Sequence, residues 1–113
     1  MTSRSIVLQE ERSGGSSVNL WASISENGDM VIEGQDLGRI VSEFWGSSFS
    51  EYEWIIKVEA ADIPRLIAVL GGTEGEDTLS LLAQRYAEDS KYASKSYLEE
   101  RGVTINFWSR VGD

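Results

Sequence analysis

The stretch Val18-Asn-Leu-Trp-Ala-Ser-Ile-Ser-Glu-Asn-Gly-Asp-Met-Val-Ile-Glu-Gly34 decides the fold. Val18, Leu20, Ala22 and Ile24 recur at every second position, with Asn19, Trp21, Ser23 and Ser25 between them. That is the period of a strand with one buried face. Asn27-Gly28 then marks a hairpin, and two registers compete for it. A two-residue turn would set Ser25 against Met30 and Ser23 against Ile32, polar opposite apolar on one face. A three-residue loop of Glu26, Asn27 and Gly28 pairs Ile24 with Met30 and Ala22 with Ile32. It keeps that face apolar, so it is the register expected. Gly28 supplies the left-handed residue that such a loop ends on.

Upstream, residues 5–12 alternate weakly and read as a strand, and Ser13-Gly-Gly-Ser-Ser17 as a flexible turn. Downstream, Gly34-Gln-Asp-Leu-Gly38 reads as a turn. Residues 39–45 suit a short helix with Ile40, Val41 and Phe44 inward. Residues 51–59 read as a strand in which Tyr52, Trp54, Ile56 and Val58 alternate. Three helical segments follow. Asp62 is the expected N-cap of the first, with Pro64 in its opening turn, a stripe of Ile63, Leu66, Ile67 and Leu70, and Gly71-Gly72 as its stop. Asp77 caps the second, through Leu79, Leu82 and Tyr86. Asp89 or Ser90 caps the third, over residues 91–101, and Gly102 ends it. Residues 103–111 form a last strand. The order β-β-β-(α)-β-α-α-α-β gives an α+β fold: a mostly antiparallel sheet of about five strands with helices on one face, in one domain of 113 residues.

The composition narrows the chemistry. With 41% apolar residues, including four Trp, four Tyr and three Phe, the chain can build a core without staples. Cysteine is absent, which removes disulfides, thiolate catalysis and Cys-based metal sites, and fits a cytoplasmic protein. Histidine is absent too, and with it the commonest general base and metal ligand. No apolar run is long enough for a membrane span, and the first residues lack the apolar region of a signal peptide. The chain is therefore read as binding without catalysis, cofactor or metal, with neither nucleic acid nor membrane as partner.

Apparent motifs fail on specific residues. Glu51 and Glu53 share a strand face and could split their pKa values, but a lone Glu-x-Glu is more simply a solvated face. A calcium loop aligned on Gly28 would put Gly34 where the bidentate Glu belongs. Gly34-x-x-x-Gly38 carries Asp36 and lacks the lysine of a phosphate loop. Glu74, Glu76 and Asp77 read as an acidic turn.

The net charge of −9 is uneven. Residues 26–62 hold nine acids against Arg39 and Lys57, giving −7, while residues 89–113 hold four acids and four bases. The acidic segment also contains Phe44, Trp45, Phe49, Tyr52 and Trp54. Exposed aromatics ringed by charge make contact hot spots, and a negative field favours a basic partner. At class level the chain resembles bacterial immunity proteins, small acidic proteins that neutralise basic toxins. The resemblance is one of size, charge and aromatic–acid mixing. It implies that Asp36, Glu43, Glu51 and Glu53 pair with basic residues of a toxin-like partner and that Trp45 anchors the patch. The other reading is a small-ligand domain with an apolar pocket lined by Trp21, Trp54 or Trp108.

Overall fold

In the computed structural model, which describes residues 4–112, five strands form one antiparallel meander in the order β1-β2-β3-β4-β5. The strands are β1 (Arg4–Ser13), β2 (Ser16–Ile24), β3 (Met30–Gly38), β4 (Glu51–Val58) and β5 (Asn106–Gly112). Helix α1 (Arg39–Trp45) bridges β3 and β4. Helices α2 (Ile63–Val69), α3 (Thr78–Glu88) and α4 (Lys95–Glu100) fill the connection from β4 to β5. The α+β fold with helices on one face is as the sequence reading has it.

The decisive hairpin takes the three-residue register. Ile24 pairs with Met30 and Ala22 with Ile32. The Gly28 N–H donates to the Ser25 carbonyl at 3.0 Å and Gly28 sits at φ +92°, the turn-plus-glycine geometry the apolar face demands. The core is the helix-side face of the sheet (Leu20, Ala22, Met30, Ile32, Ile56, Val58) against Leu66, Leu70, Leu79, Leu82 and Leu98.

Several local expectations are corrected. Gly34-Gln-Asp-Leu-Gly38 is not a turn but the second half of β3, because β2 and β4 flank it on both sides: Asp36 pairs with Val18 and with Tyr52. Gly34 is there because a Cβ would fall 2.2 Å from Trp54 Cε2, so the indole lies across a bare backbone. In α1 only Val41 is buried, while Ile40 and Phe44 stay exposed, since a seven-residue helix at the end of the sheet buries one row at most. Asp62 makes no side-chain cap; its carboxylate accepts the Thr104 N–H at 2.6 Å and ties α2 to the approach to β5. The third helical segment divides at Ser94. A 3-10 turn (Ser90–Ala93) capped by Asp89 precedes it, and Ser94 caps α4.

Among the described residues no helix lies on the opposite face of the sheet. Across it, one row of paired residues runs Val7, Trp21, Glu33, Ile55, Trp108. By the same registers Glu10, Glu33, Glu51 and Glu53 share this face with Arg12, Lys57 and Arg110, so it is close to neutral. Among the described residues no helix is long and apolar enough to cross a membrane.

Candidate interaction surface

Strand parity divides the five residues that the acidic segment nominates. Met30, Ile32, Gly34 and Asp36 alternate onto the helix-covered face, and Tyr52, Trp54, Ile56 and Val58 meet them there. Glu51 and Glu53 point the other way. Both reach Arg110 of β5, at 2.6 Å and 3.3 Å. Hydrogen bonding inside this cluster, with Glu53 and then with Arg110, holds the Glu51 carboxyl below its usual range. These two acids are thus partly neutralised in place, and the pair is not a free acid–base couple. Glu43 is exposed on α1 and pairs with Arg39 one turn earlier, at 3.3 Å. The structure therefore does not assemble Asp36, Glu43, Trp45, Glu51 and Glu53 on one face. It brings Asp36 and Trp45 together, beside Glu43 on the same helix.

Other acids of the segment serve the fold. Asp29 accepts the Ala60 N–H at 2.8 Å and lies 3.5 Å from Lys57, and the backbone hydrogen bond is the main reason its carboxyl sits below the usual range. In the acidic turn, Glu76 accepts both the N–H and the hydroxyl of Thr73. Asp77 caps α3 through Ser80 and forms a two-pronged pair with Arg4, which pulls its carboxyl far down. Among the described residues no cluster of acids is arranged to hold a metal ion.

The site that remains is built around α1. Gly38 (φ +87°) turns the chain out of β3, the Ile40 N–H donates to Ser16 Oγ at 2.9 Å, and Val41 seats the helix. The Ser42 hydroxyl donates to the Phe49 carbonyl at 2.6 Å and closes the following loop back on the helix. This leaves Phe44 79% and Trp45 44% exposed, with Ile40 and Phe49 also outside. Phe44 meets Trp45 edge-on at 5.2 Å between centroids, and Trp45 lies at 5.4 Å from Tyr52, tilted by 31°. These side chains form a contiguous exposed apolar patch at one end of the sheet.

Beneath the aromatic ladder lies a cleft of about 470 Å³, lined by Asp36, Ile40, Val41, Phe44, Trp45 and Tyr52. It adjoins a hollow of about 260 Å³ that shares Asp36 and adds Trp54, Tyr86, Ala93 and Ser94. A third, of about 210 Å³, shares Tyr52, Trp54, Ala93 and Ser94 and ends at Lys95 and Phe107. The shared walls make one groove along β3 and β4, between α1 and the segment from α3 to α4. Asp36 sits in its floor, partly buried, with no hydrogen-bond or ion-pair partner among the described residues, and burial raises its pKa. Lys95 at the far end is already paired with Glu99 at 2.9 Å. A larger depression of about 840 Å³ runs along the β1–β2 hairpin, but its two charges, Glu10 and Arg12, are of opposite sign and both exposed.

Trp21 and Trp54 together line a small hollow of about 170 Å³ around Gly34, and Trp108 is not part of it. Tyr52, Trp54 and Tyr86 line the groove, and of these the sequence reading names only Trp54 as a pocket residue. The parity Met30, Ile32, Gly34, Asp36, carried through Gly38, is the signal that locates them. No known protein family, curated protein or solved structure matches the chain.

Proposed function

We propose that this chain is a protein-binding module, an immunity or inhibitor type protein of the cytoplasm, that masks a basic partner. In this reading α1 docks its exposed aromatics on the partner, and a Lys or Arg side chain enters the cleft over Asp36. The observation that carries the reading is the unpaired carboxylate of Asp36 in an aromatic-walled cleft. A cation seated there gains a charge partner in a partly desolvated site and the faces of Trp45 and Tyr52 for cation–π contact. Glu43, on α1 but outside the cleft lining and paired with Arg39, adds only in part to the negative field that steers association. Glu51 and Glu53, held by Arg110 on the other side of the sheet, contribute to that field only at a distance.

The test uses acetyl-arginine amide and acetyl-lysine amide as probes in a heteronuclear NMR titration. Saturable shifts of the Trp45 indole N–H and of the Asp36 and Tyr52 amides are expected, and they are lost in Asp36→Asn. A norleucine analogue of the same length produces none. Shifts that persist in Asp36→Asn, or that map to the helix-free face, overturn the assignment. A second reading, a small-ligand domain, draws on the continuity of the three hollows. It predicts instead that a free amine or other small cation binds the isolated groove tightly and that α1 surface variants such as Phe44→Ser leave binding intact.

A further inference from the structure

The two edges of the sheet are treated very differently. Edge strands expose unpaired backbone groups that template further pairing, and proteins blunt them with bulges, charge and cover. β1 has all three. Its register with β2 slips between Val7 and Gln9, so Leu8 is bulged. Its second half carries Glu10, Glu11 and Arg12 in succession. Helix α3 fastens over it through Tyr86, whose hydroxyl donates to Gln9 Oε1 at 2.7 Å, and through the pair between Arg4 and Asp77.

β5 has none of these. It runs in unbroken register from Asn106 opposite Lys57 to Gly112 opposite Glu51. It contains no proline, and its one charge, Arg110, is drawn inward to Glu51 and Glu53. Residues 106–110 are all exposed, and the two aromatics point to opposite faces: Phe107, 44% exposed, toward the helix side, and Trp108, 47% exposed, toward the bare side. The helix layer reaches this edge through Lys95 of α4, whose Nζ lies 5.5 Å from the Phe107 ring centroid, and still leaves both rings exposed. One added strand would cover both rings at once, which no helix could do.

We infer that β5 is a self-association edge: a second copy of the chain adds its own β5 antiparallel to the first, about a twofold axis through Ser109, to give a continuous ten-stranded sheet. The pattern of β5 is self-complementary in this register. All seven residues pair, Asn106 with Gly112 of the second copy, Phe107 with Val111, Trp108 with Arg110, and Ser109 with itself. Phe107 then meets an apolar partner on the helix side. The guanidinium of Arg110 lies beside the Trp108 indole on the bare side, a cross-strand cation–π pair. No like charges face each other, and a small residue occupies the axis. The surrounding charge agrees. Residues 89–113, which include β5, are neutral, with four acids and four bases, so this segment adds no net like-charge repulsion between two copies. The exposed parts of four aromatic rings and two backbone edges bring the buried area to about 1,000 Å², the lower end for a specific contact, so the association is weak and concentration-dependent.

The absence of cysteine makes the test clean. Residues facing each other across an antiparallel pair have Cα atoms about 4.5–5.5 Å apart, within disulfide range. Ser109→Cys, exposed and not among the residues that line the cleft at Asp36, is therefore expected to oxidise to a covalent dimer in high yield. Ser96→Cys, exposed on α4, serves as the control for random collision. In sedimentation equilibrium the unmodified chain is expected to pass from monomer to dimer between about 1 µM and about 1 mM. Ser109→Lys, which opposes two charges at the axis, is expected to stay monomeric with an unchanged melting temperature. A monomer throughout that range, or a Ser109→Cys yield no higher than that of Ser96→Cys, overturns the inference. A monomer whose capture of a basic partner is weakened by Ser109→Lys also overturns it, and assigns the edge to a strand of the partner. Because Ser109 lies outside the cleft at Asp36, these results are independent of the arginine titration.

Discussion

Gly34→Ala is a one-methyl change with a consequence that can be worked from geometry. The new Cβ would stand 2.2, 2.3 and 2.4 Å from Trp54 Cε2, Nε1 and Cζ2, all inside contact distance. Gly34 has no positive φ, so backbone strain adds nothing and the indole must move. Trp54 packs on the core and walls two of the three hollows of the groove, so its displacement perturbs both stability and site. Overpacking of this kind costs about 1–3 kcal/mol. Replacing glycine by alanine in a strand returns about 0.5–1 kcal/mol. The net loss is then about 1–2 kcal/mol, or a drop in Tm of about 4–10 °C for a domain of this size. Urea unfolding followed by circular dichroism measures it. The decisive arm is a double-mutant cycle with Trp54→Leu, which removes the three indole atoms concerned. In that background Gly34→Ala is expected to be neutral or stabilising, with a coupling of about 1–3 kcal/mol between the two positions. Equal destabilisation in both backgrounds would show that something other than the indole excludes a side chain at Gly34, and the placement of Trp54 would be refuted.

Asp36→Asn is expected to stabilise the free protein at neutral pH while abolishing the arginine-induced NMR shifts. Burial raises the Asp36 pKa, so its ionised form is disfavoured in the folded chain. The stabilisation from the substitution is present where the carboxylate is charged and vanishes as pH falls below the ordinary carboxylate range near about 4. Thermal melts at several pH values follow it, and a destabilised variant at neutral pH refutes the unpaired state of Asp36. Asp77 has the opposite sign. Hydrogen bonding to Arg4 first, and to Ser80, lowers its pKa. It therefore adds stability above the ordinary carboxylate range, lost progressively as pH falls below about 4, and Asp77→Asn flattens that acid limb of the Tm profile. Phe44→Ser, at a side chain 79% exposed, changes stability by no more than about 0.5 kcal/mol yet weakens partner capture. A large loss of Tm would mean that the ring is part of the core.

The hairpin was legible because two registers made opposite demands on one face, and only one kept Ile24, Met30, Ala22 and Ile32 together. The second half of β3 was not. Gly-Gln-Asp-Leu-Gly has the composition of a turn, and what makes it a strand is tertiary: β2 and β4 on either side and an indole lying over Gly34. The same limit applies to α1. Its apolar pattern fits an inward face, but the sheet beneath it offers room for Val41 alone. At Asp62 a local cap competed with a distant N–H, that of Thr104, and the distant group won, which spacing along the chain cannot reveal.

The acidity of residues 26–62 illustrates how a property of the sequence is sorted by the fold. Four of its acids lie in the sheet: Glu33, Asp36, Glu51 and Glu53. Parity sends three of them to the helix-free face, where Arg12, Lys57 and Arg110 nearly balance the charge. Asp36 is sent to the other face, into a cleft otherwise lined by Ile40, Val41, Phe44, Trp45 and Tyr52 that supplies no base. A partly buried carboxylate without a partner costs stability, and the surrounding core shows no comparable defect: among the described residues every fully buried side-chain polar atom has a hydrogen bond. The unsatisfied charge is thus confined to one position, at the floor of a cleft open to solvent beneath the most exposed aromatic ring of the molecule. In the function proposed above, a cation delivered by a partner would satisfy this charge, and the site would be complete only once the partner is bound.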